Sequence, residues 1–371
     1  MPRHYLDHAS TSPLRPAARD ALTAALALNA DPGRIHEEAL AARHAVEVAR
    51  QQVADLLGAR SREVVFTSGA TESIAMACHG AARKDHRRGS VLAAVEHSAV
   101  RHCADREGPV AVVGVDRRGR VDPDELLAAI GDDTAVVHLQ WGNHEVGTCH
   151  DLEPVVAACR ERNVLVHVDA AQAVGRVPVD FGALGCDLLS VSAHKFGGPP
   201  GVGALLVRRG LRLDPLLLGG DQERARRAGL ENVPAVVGFG AACEALGNGV
   251  LADEEADSRR LTDRLAEGLA ALEGVERYGD PDRRLPHLVC VGITDIEPQA
   301  VLLGLDRAGV AAHSGSACAS EGLEPSPVLE AMGVDAHRSL RLSVGWNTTD
   351  VDVDAAIDAL PGILAGLRAL R

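Results

Sequence analysis

From about residue 40 to residue 250, short apolar runs alternate with amphipathic helical stretches, and this alternation is the pattern of a parallel α/β sheet. Residues 64–66, 90–95, 134–139 and 164–168 read as strands. Between them, residues 40–57 have the spacing of a helix packed on a sheet. The run Asp122-Pro123-Asp124-Glu125-Leu126 opens another helix, with aspartate as cap and proline at the first helical position. The expected fold class is therefore α/β, with a mainly parallel central sheet.

A chain of 371 residues is too long for one modest core. Residues 252–275, beginning Asp253-Glu254-Glu255, read as a long charged helix leaving the sheet. Strand-like residues 288–291, a helix over 297–309 and a strand over 340–344 follow. The expected division is a large α/β domain over 14–251 and a smaller α+β domain from 1–13 and 252–371. Residues 353–371, with Leu360, Ile363, Leu364 and Leu367, read as a packed helix after Pro361.

Composition narrows the function. Aromatic residues are only 2% of the chain, so Ala, Val and Leu must fill the core. A net charge of −14 argues against general nucleic-acid binding, which needs a basic stripe. The first seven residues hold no apolar signal core, and no window approaches the roughly 18 apolar residues of a membrane span. Eight cysteines without a Cys-x-x-Cys pair read as reduced thiols, with neither a disulfide framework nor a metal site. The expected compartment is the cytoplasm.

Ser192-Ala193-His194-Lys195 follows the apolar run 186–191 and precedes Phe196-Gly197-Gly198-Pro199-Pro200-Gly201-Val202-Gly203. An amine desolvated where a buried strand meets a glycine-rich loop has a lowered pKa and becomes a nucleophile toward an aldehyde. That is what a Schiff base with pyridoxal phosphate (PLP) requires, although a loop lysine is more often solvated. Three further segments point the same way. Thr67-Ser68-Gly69-Ala70-Thr71-Glu72-Ser73 passes from a strand into a helix whose first N–H groups suit an anion, or simply cap the turn. Asp169 ends an apolar strand, where ligands bind in open α/β sheets, and could hold a pyridine nitrogen protonated. The plainer role for Asp169 is a helix cap. Gln172 lies three residues on, within reach of a phenolic oxygen. Val95-Glu96-His97-Ser98 places a histidine at another strand end, where it could stack on a ring and shuttle protons near neutral pH.

Taken in order, these segments resemble the NifS/IscS-type cysteine desulfurases, within the class V aminotransferase-like PLP enzymes. The resemblance extends from Tyr5-Leu6-Asp7-His8-Ala9-Ser10-Thr11 to Ser339-Leu340-Arg341-Leu342-Ser343-Val344-Gly345. It implies a PLP-dependent transferase-like large domain, a smaller domain carrying a catalytic cysteine loop, and a homodimer. By resemblance, Lys195 would bind the cofactor aldehyde and later move the substrate Cα proton. Asp169 would face the pyridine nitrogen, Gln172 the phenolic oxygen and His97 the ring face. Ala70, Thr71, Ser192 and His194 would hold the phosphate, and Arg341 the substrate carboxylate. In Ser314-Gly315-Ser316-Ala317-Cys318-Ala319-Ser320, small residues around one cysteine describe an accessible loop. The resemblance makes Cys318 the nucleophile that takes sulfur from L-cysteine, leaving alanine and an enzyme persulfide for a sulfur-acceptor protein. Candidate acceptors span iron–sulfur cluster assembly, tRNA thiolation, DNA sulfur modification and biosynthetic sulfur carriers.

Four positions depart from the family pattern. His144 replaces the second Asn of an Asn-Asn-Glu-x-Gly-Thr segment and would donate to the phenolic oxygen in its place. Leu230 stands where a threonine would reach the phosphate of a partner subunit. Asp31 stands for an Asn near the substrate carboxylate, where like charge disfavours it, so it is expected to point away or to alter substrate preference. His287 also replaces an Asn. Selenocysteine lyase or another cysteine C–S lyase is the alternative enzyme. A weakened paralogue acting as a sulfur-relay partner is the alternative outside catalysis.

Overall fold

The computed structural model describes residues 3–84, 86–315 and 325–370. Its strands in chain order are β1 (His4–Tyr5), β2 (Val64–Thr67), β3 (Gly89–Ala93), β4 (Val110–Val113), β5 (Thr134–Gln140), β6 (Leu165–Asp169), β7 (Leu188–Ser192), β8 (Gly203–Val207), β9 (Val275–Tyr278), β10 (Leu288–Ile293), β11 (Val310–Ala311) and β12 (Ser339–Ser343). Seven of them form one sheet in the order β2-β8-β7-β6-β5-β3-β4. Strands β7, β6, β5, β3 and β4 pair in parallel, and β8 runs antiparallel to both its neighbours. Every residue of β5, β6 and β7 is buried, which is why these segments read as continuous apolar runs rather than alternating ones.

The helix expected over 40–57 spans Glu37–Leu56 and starts earlier because His36 caps it, accepting from the Ala39 N–H. Asp122 caps Pro123–Ala128 as its sequence suggests. The strand expected over 90–95 stops at Ala93. There the Glu96 N–H donates to the Ala93 carbonyl, and this turn brings Glu96 and His97 to the sheet edge.

A second sheet, in the order β12-β10-β9, is antiparallel. Side chains alternate across a strand, so β10 serves two cores at once. Leu288 and Cys290 join the cluster around the large sheet, while Val289, Val291 and Ile293 join a second cluster with Leu6, Leu261 and Leu265. The C-terminal helix, Asp350–Ala369, does not wait for Pro361. It opens on a capping box of Thr349 and Asp352 and carries the proline inside. Burial of Val353, Ala356, Leu360 and Leu364 holds one face down. Pro361 lies on the exposed face, where water can satisfy the carbonyl its missing N–H leaves free.

The N-terminal segment joins the two sheets. β1 pairs in parallel with β11 and Asp7 bridges to Ser343. The Ser12 and Arg15 N–H groups then donate to the carbonyls of His194 and Gly197, laying this segment along the turn that follows β7.

Candidate active site

The C-terminal ends of β6 and β7 open on a cavity of about 520 Å³, in the range of small-ligand sites. Beyond Ser192 the chain makes one tight turn, Ala193–Lys195, and then turns sharply again at Gly197. Gly197 has φ of +93°, and a Cβ there would sit 2.5 Å from Arg15 Cγ. At Gly203 a Cβ would meet Gly69 Cα at 2.7 Å, so glycine lets β8 approach the turn before Ala70–Ala82. These contacts fix Lys195 at the cavity floor.

The Lys195 amine donates to the carbonyls of Ala9 (2.7 Å) and Ser10 (3.0 Å). Burial, then the nearby Arg341 charge, lowers its pKa to about 8, against the opposing pull of Asp169 and Asp7. Asp169 closes β6, and its Oδ1 accepts from the Ala171 N–H at 3.0 Å. Burial raises its pKa, and that hydrogen bond, His144 and Lys195 work against the rise. Behind it, Glu96 is 1% exposed. One of its oxygens accepts from the Gln140 N–H at 2.7 Å, and the other has no partner. Burial pushes the Glu96 carboxyl up to about 8.

His97 caps the helix Ser98–Glu107, its Nδ1 accepting from the Ala99 N–H at 3.1 Å. Burial, with His144 and Lys195 nearby, lowers its pKa to about 3. The near-neutral value expected of a histidine is thus not what this cavity produces. The ring is neutral, with its proton on Nε2, which suits it to lie against a ligand ring. The His144 ring stands edge-on to His97 at 5.0 Å between centroids. Asn143, before it, serves the loop, donating to Val95 O and accepting from the N–H groups of Glu145 and Val146.

At the other end of the cavity lie Ala70 and Thr71, in the first turn of the helix Ala70–Ala82, with Ser192 and His194. The N–H groups of a first helical turn have no partner inside the helix and favour an anion. Burial lowers the His194 pKa to about 4, and its Nδ1 lies 3.1 Å from Thr11 Oγ1. Gln172 also lines the cavity, but its amide is partly committed. It donates to Ala9 O at 2.8 Å, and its oxygen meets His287 Nε2 at 3.1 Å. Arg341, on β12, forms the roof. It donates to His144 O (2.8 Å), Ser10 Oγ (2.8 Å) and Asp7 Oδ1 (3.1 Å), and its buried Nε has no partner.

All the described site residues named from the sequence therefore meet in one cavity. Cys318 lies outside the described residues. His313 lines the roof, and its Nδ1 accepts from the Gly315 N–H at the start of the segment leading to Cys318. Burial raises the thiol pKa of each of the other seven cysteines, disfavouring thiolate there. Asp31 does not line the cavity and turns to the Gly33 N–H and Arg34. Leu230 is 62% exposed on the surface. The roles of Asp7, Ala9 and Ser10 had no local signal, because each acts through a partner more than a hundred residues away.

Residues 4–356 match the family described as Aminotransferase class-V. A cysteine desulfurase IscS of Methanosarcina thermophila is 42% identical, over 98% of this chain and 92% of its own. A solved NifS-like protein is similar with a TM-score of 0.91 at 31% identity, over 98% of this chain and 100% of that one. A structure described as SspA in complex with cysteine is similar with a TM-score of 0.81 at 28% identity, over 93% of this chain and 100% of that one. The cavity and these likenesses agree: the chain belongs to the class-V aminotransferase family, among its NifS/IscS-type cysteine desulfurases.

Proposed function

We propose that this protein converts L-cysteine to L-alanine with PLP as cofactor, leaving the sulfur as a persulfide on Cys318. The observation that carries the reading is the Lys195 amine, held at the strand ends with a pKa near 8 and facing the buried Asp169 carboxyl. The residues fit the cofactor: an amine that is partly neutral at physiological pH, a buried acid, and a helix N-terminus for a phosphate. PLP supplies an aldehyde that captures the substrate amine and a ring that withdraws electrons from the substrate carbons. Lys195 would hold the aldehyde carbon and then carry the Cα proton of cysteine. Asp169 would keep a proton on the pyridine nitrogen. His97 would lie on the ring face, with His144 and the remaining amide hydrogen of Gln172 toward the phenolic oxygen. Ala70, Thr71, Ser192 and His194 would bind the phosphate. Arg341 would exchange Asp7 and Ser10 for the substrate carboxylate.

In balance, the substrate C–S bond breaks, an S–S bond to Cys318 forms, and the substrate carbon takes a proton to give alanine. The raised thiol pKa values of the other seven cysteines support Cys318 as the acceptor. We further infer the two-domain division given above, which the two separate hydrophobic clusters support. The exposed Leu217, Leu218 and Leu230, which lie on adjoining backbone where the Ala228 N–H donates to Leu217 O, support a homodimer. A sulfur-acceptor protein and a cytoplasmic setting complete the reading. No described helix is long and apolar enough to cross a membrane.

The test is an anaerobic reaction with L-cysteine, following alanine and protein-bound persulfide together. Equal initial yields are expected. Alanine without persulfide would point to a C–S lyase, and bound cofactor with neither product would overturn the reading.

A further inference from the structure

Arg176 is a buried guanidinium with no carboxylate against it among the described residues. It is 4% exposed, and each acceptor it reaches is neutral: Lys195 O at 2.7 Å, Ser12 Oγ at 3.2 Å and Val344 O at 3.5 Å. Its Nε has no partner at all. The other four deeply buried arginines are built differently, and of these Arg284 and Arg341 meet Asp263 and Asp7. Arg15 grips both oxygens of Glu254 at 2.6 Å, and Arg50 grips both oxygens of Glu223 at 2.6 and 2.8 Å. Burying a cation without an acid is costly, so its field is left to act on what surrounds it.

What surrounds it is a set of bases. Lys195 is tied to it through its own carbonyl, and His8 and His287 face it from the N-terminal segment and from the residue preceding β10. Both histidines have their pKa lowered by burial first and Arg176 second. On Lys195 burial acts most strongly, then Arg341, which also lowers; Asp169 and Asp7 oppose them, and Arg176 adds a smaller lowering of its own. Glu254, the nearest acid acting on Arg176, is already held by Arg15. His97 and His194 complete the surroundings of Lys195, and both are neutral near pH 7.

We propose that Arg176 is a positioning residue whose unpaired charge, fastened to the Lys195 carbonyl, adds to the field that disfavours protonation of the Lys195 amine and so enlarges the neutral fraction ready to attack an aldehyde. This rests on the reading of Lys195 as the cofactor-binding amine and extends it to a residue outside the cavity lining.

The sequence makes the test clean, because the chain has only two lysines, Lys195 and the exposed Lys84. The amines of the cofactor-free protein are labelled competitively with acetic anhydride across the pH range, and the two lysine peptides are quantified by mass spectrometry with Lys84 as reference. In Arg176→Gln the midpoint for Lys195 should move up by about half a pH unit, making labelling near neutral pH about threefold slower. Arg176→Lys, which keeps the charge, should hold the original midpoint. Ser12→Asp, which sets a carboxylate beside the intact guanidinium, should raise the midpoint as the Gln variant does, and it stands in if that variant fails to fold. An unmoved midpoint in Arg176→Gln, or in Ser12→Asp where it stands in, would overturn the proposal. So would a Lys variant that shifts as far as Gln, which would assign the effect to packing. Because no cofactor is present, the result is separate from the Lys195 assignment. That assignment would fall instead if Lys195→Ala still bound the cofactor covalently.

Discussion

The floor and the roof of the cavity are built on opposite principles. The floor comes from strand ends of one sheet, and its groups hydrogen-bond only to neutral partners: a desolvated amine, a buried carboxyl, and histidines that burial keeps neutral. The roof comes from the N-terminal segment and β12, and its groups are already partnered, with Arg341 bound to Asp7, Ser10 and His144 before any substrate arrives. Burial without an ion-paired partner shifts the floor groups toward their neutral forms, because a charged form without solvent or a counter-charge in contact is disfavoured. Partnering makes the roof selective. On the role proposed for Arg341, a substrate carboxylate would have to match what Asp7 and Ser10 already offer it, so an analogue lacking the carboxylate would gain little.

The largest effect should come from the floor. Lys195→Ala should remove covalent cofactor binding and lower alanine formation by about a thousandfold or more, read from the absorbance of the bound cofactor and from product assays. Wild-type turnover in this variant would remove the amine from the comparison altogether. Cys318→Ser should come next, with persulfide lost, sulfur transfer down by about a hundredfold or more, and cofactor binding unchanged. Persulfide formed at the undiminished rate would mean that a buried thiol does the work, against the raised pKa of all seven.

A roof change should be milder. Arg341→Gln removes a charge-assisted contact worth about 1.5–3 kcal/mol, so KM for L-cysteine should rise about ten- to a hundredfold, with a smaller change in kcat. A kcat loss as deep as that of the lysine variant would merge roof and floor into one unit.

The smallest effect concerns stability and acid. His8, His97, His138, His150 and His194 all have folded pKa values lowered by burial to about 3–4. The unfolded chain takes up these protons near 6.5, while the folded chain does not until about 3–4. Stability is therefore fully present above pH 6.5 and is lost as pH falls toward 4. The thermal midpoint should drop by roughly 10 °C over that interval. A flat profile would show that the floor histidines are not held neutral.

How far the fold was legible follows from the same physics. Buried parallel strands are mostly apolar on both faces, so β5, β6 and β7 stand out in the sequence, and the ends of β6 and β7 mark Asp169, Ser192 and Lys195. The course of the C-terminal helix was not legible at Pro361, because a proline is tolerated when its face is solvated and the opposite face is packed, and only packing reveals which face is which. The protonation of His97 was not legible either, since a histidine's pKa is a property of its burial and neighbours rather than of its position in the chain.

The sequence by itself determined the α/β order and the placing of a lysine and an acid at strand ends, because these are local patterns of residue types, whereas the roles of Arg341 and Cys318 came from the family resemblance. Only the tertiary structure decided that the carbonyls of Ala9 and Ser10 hold the Lys195 amine, that Asp7 pairs with Arg341, and that Arg176 carries a charge nothing answers. Those facts depend on distance and dielectric between groups far apart in the chain, and these come into being only when the chain has folded.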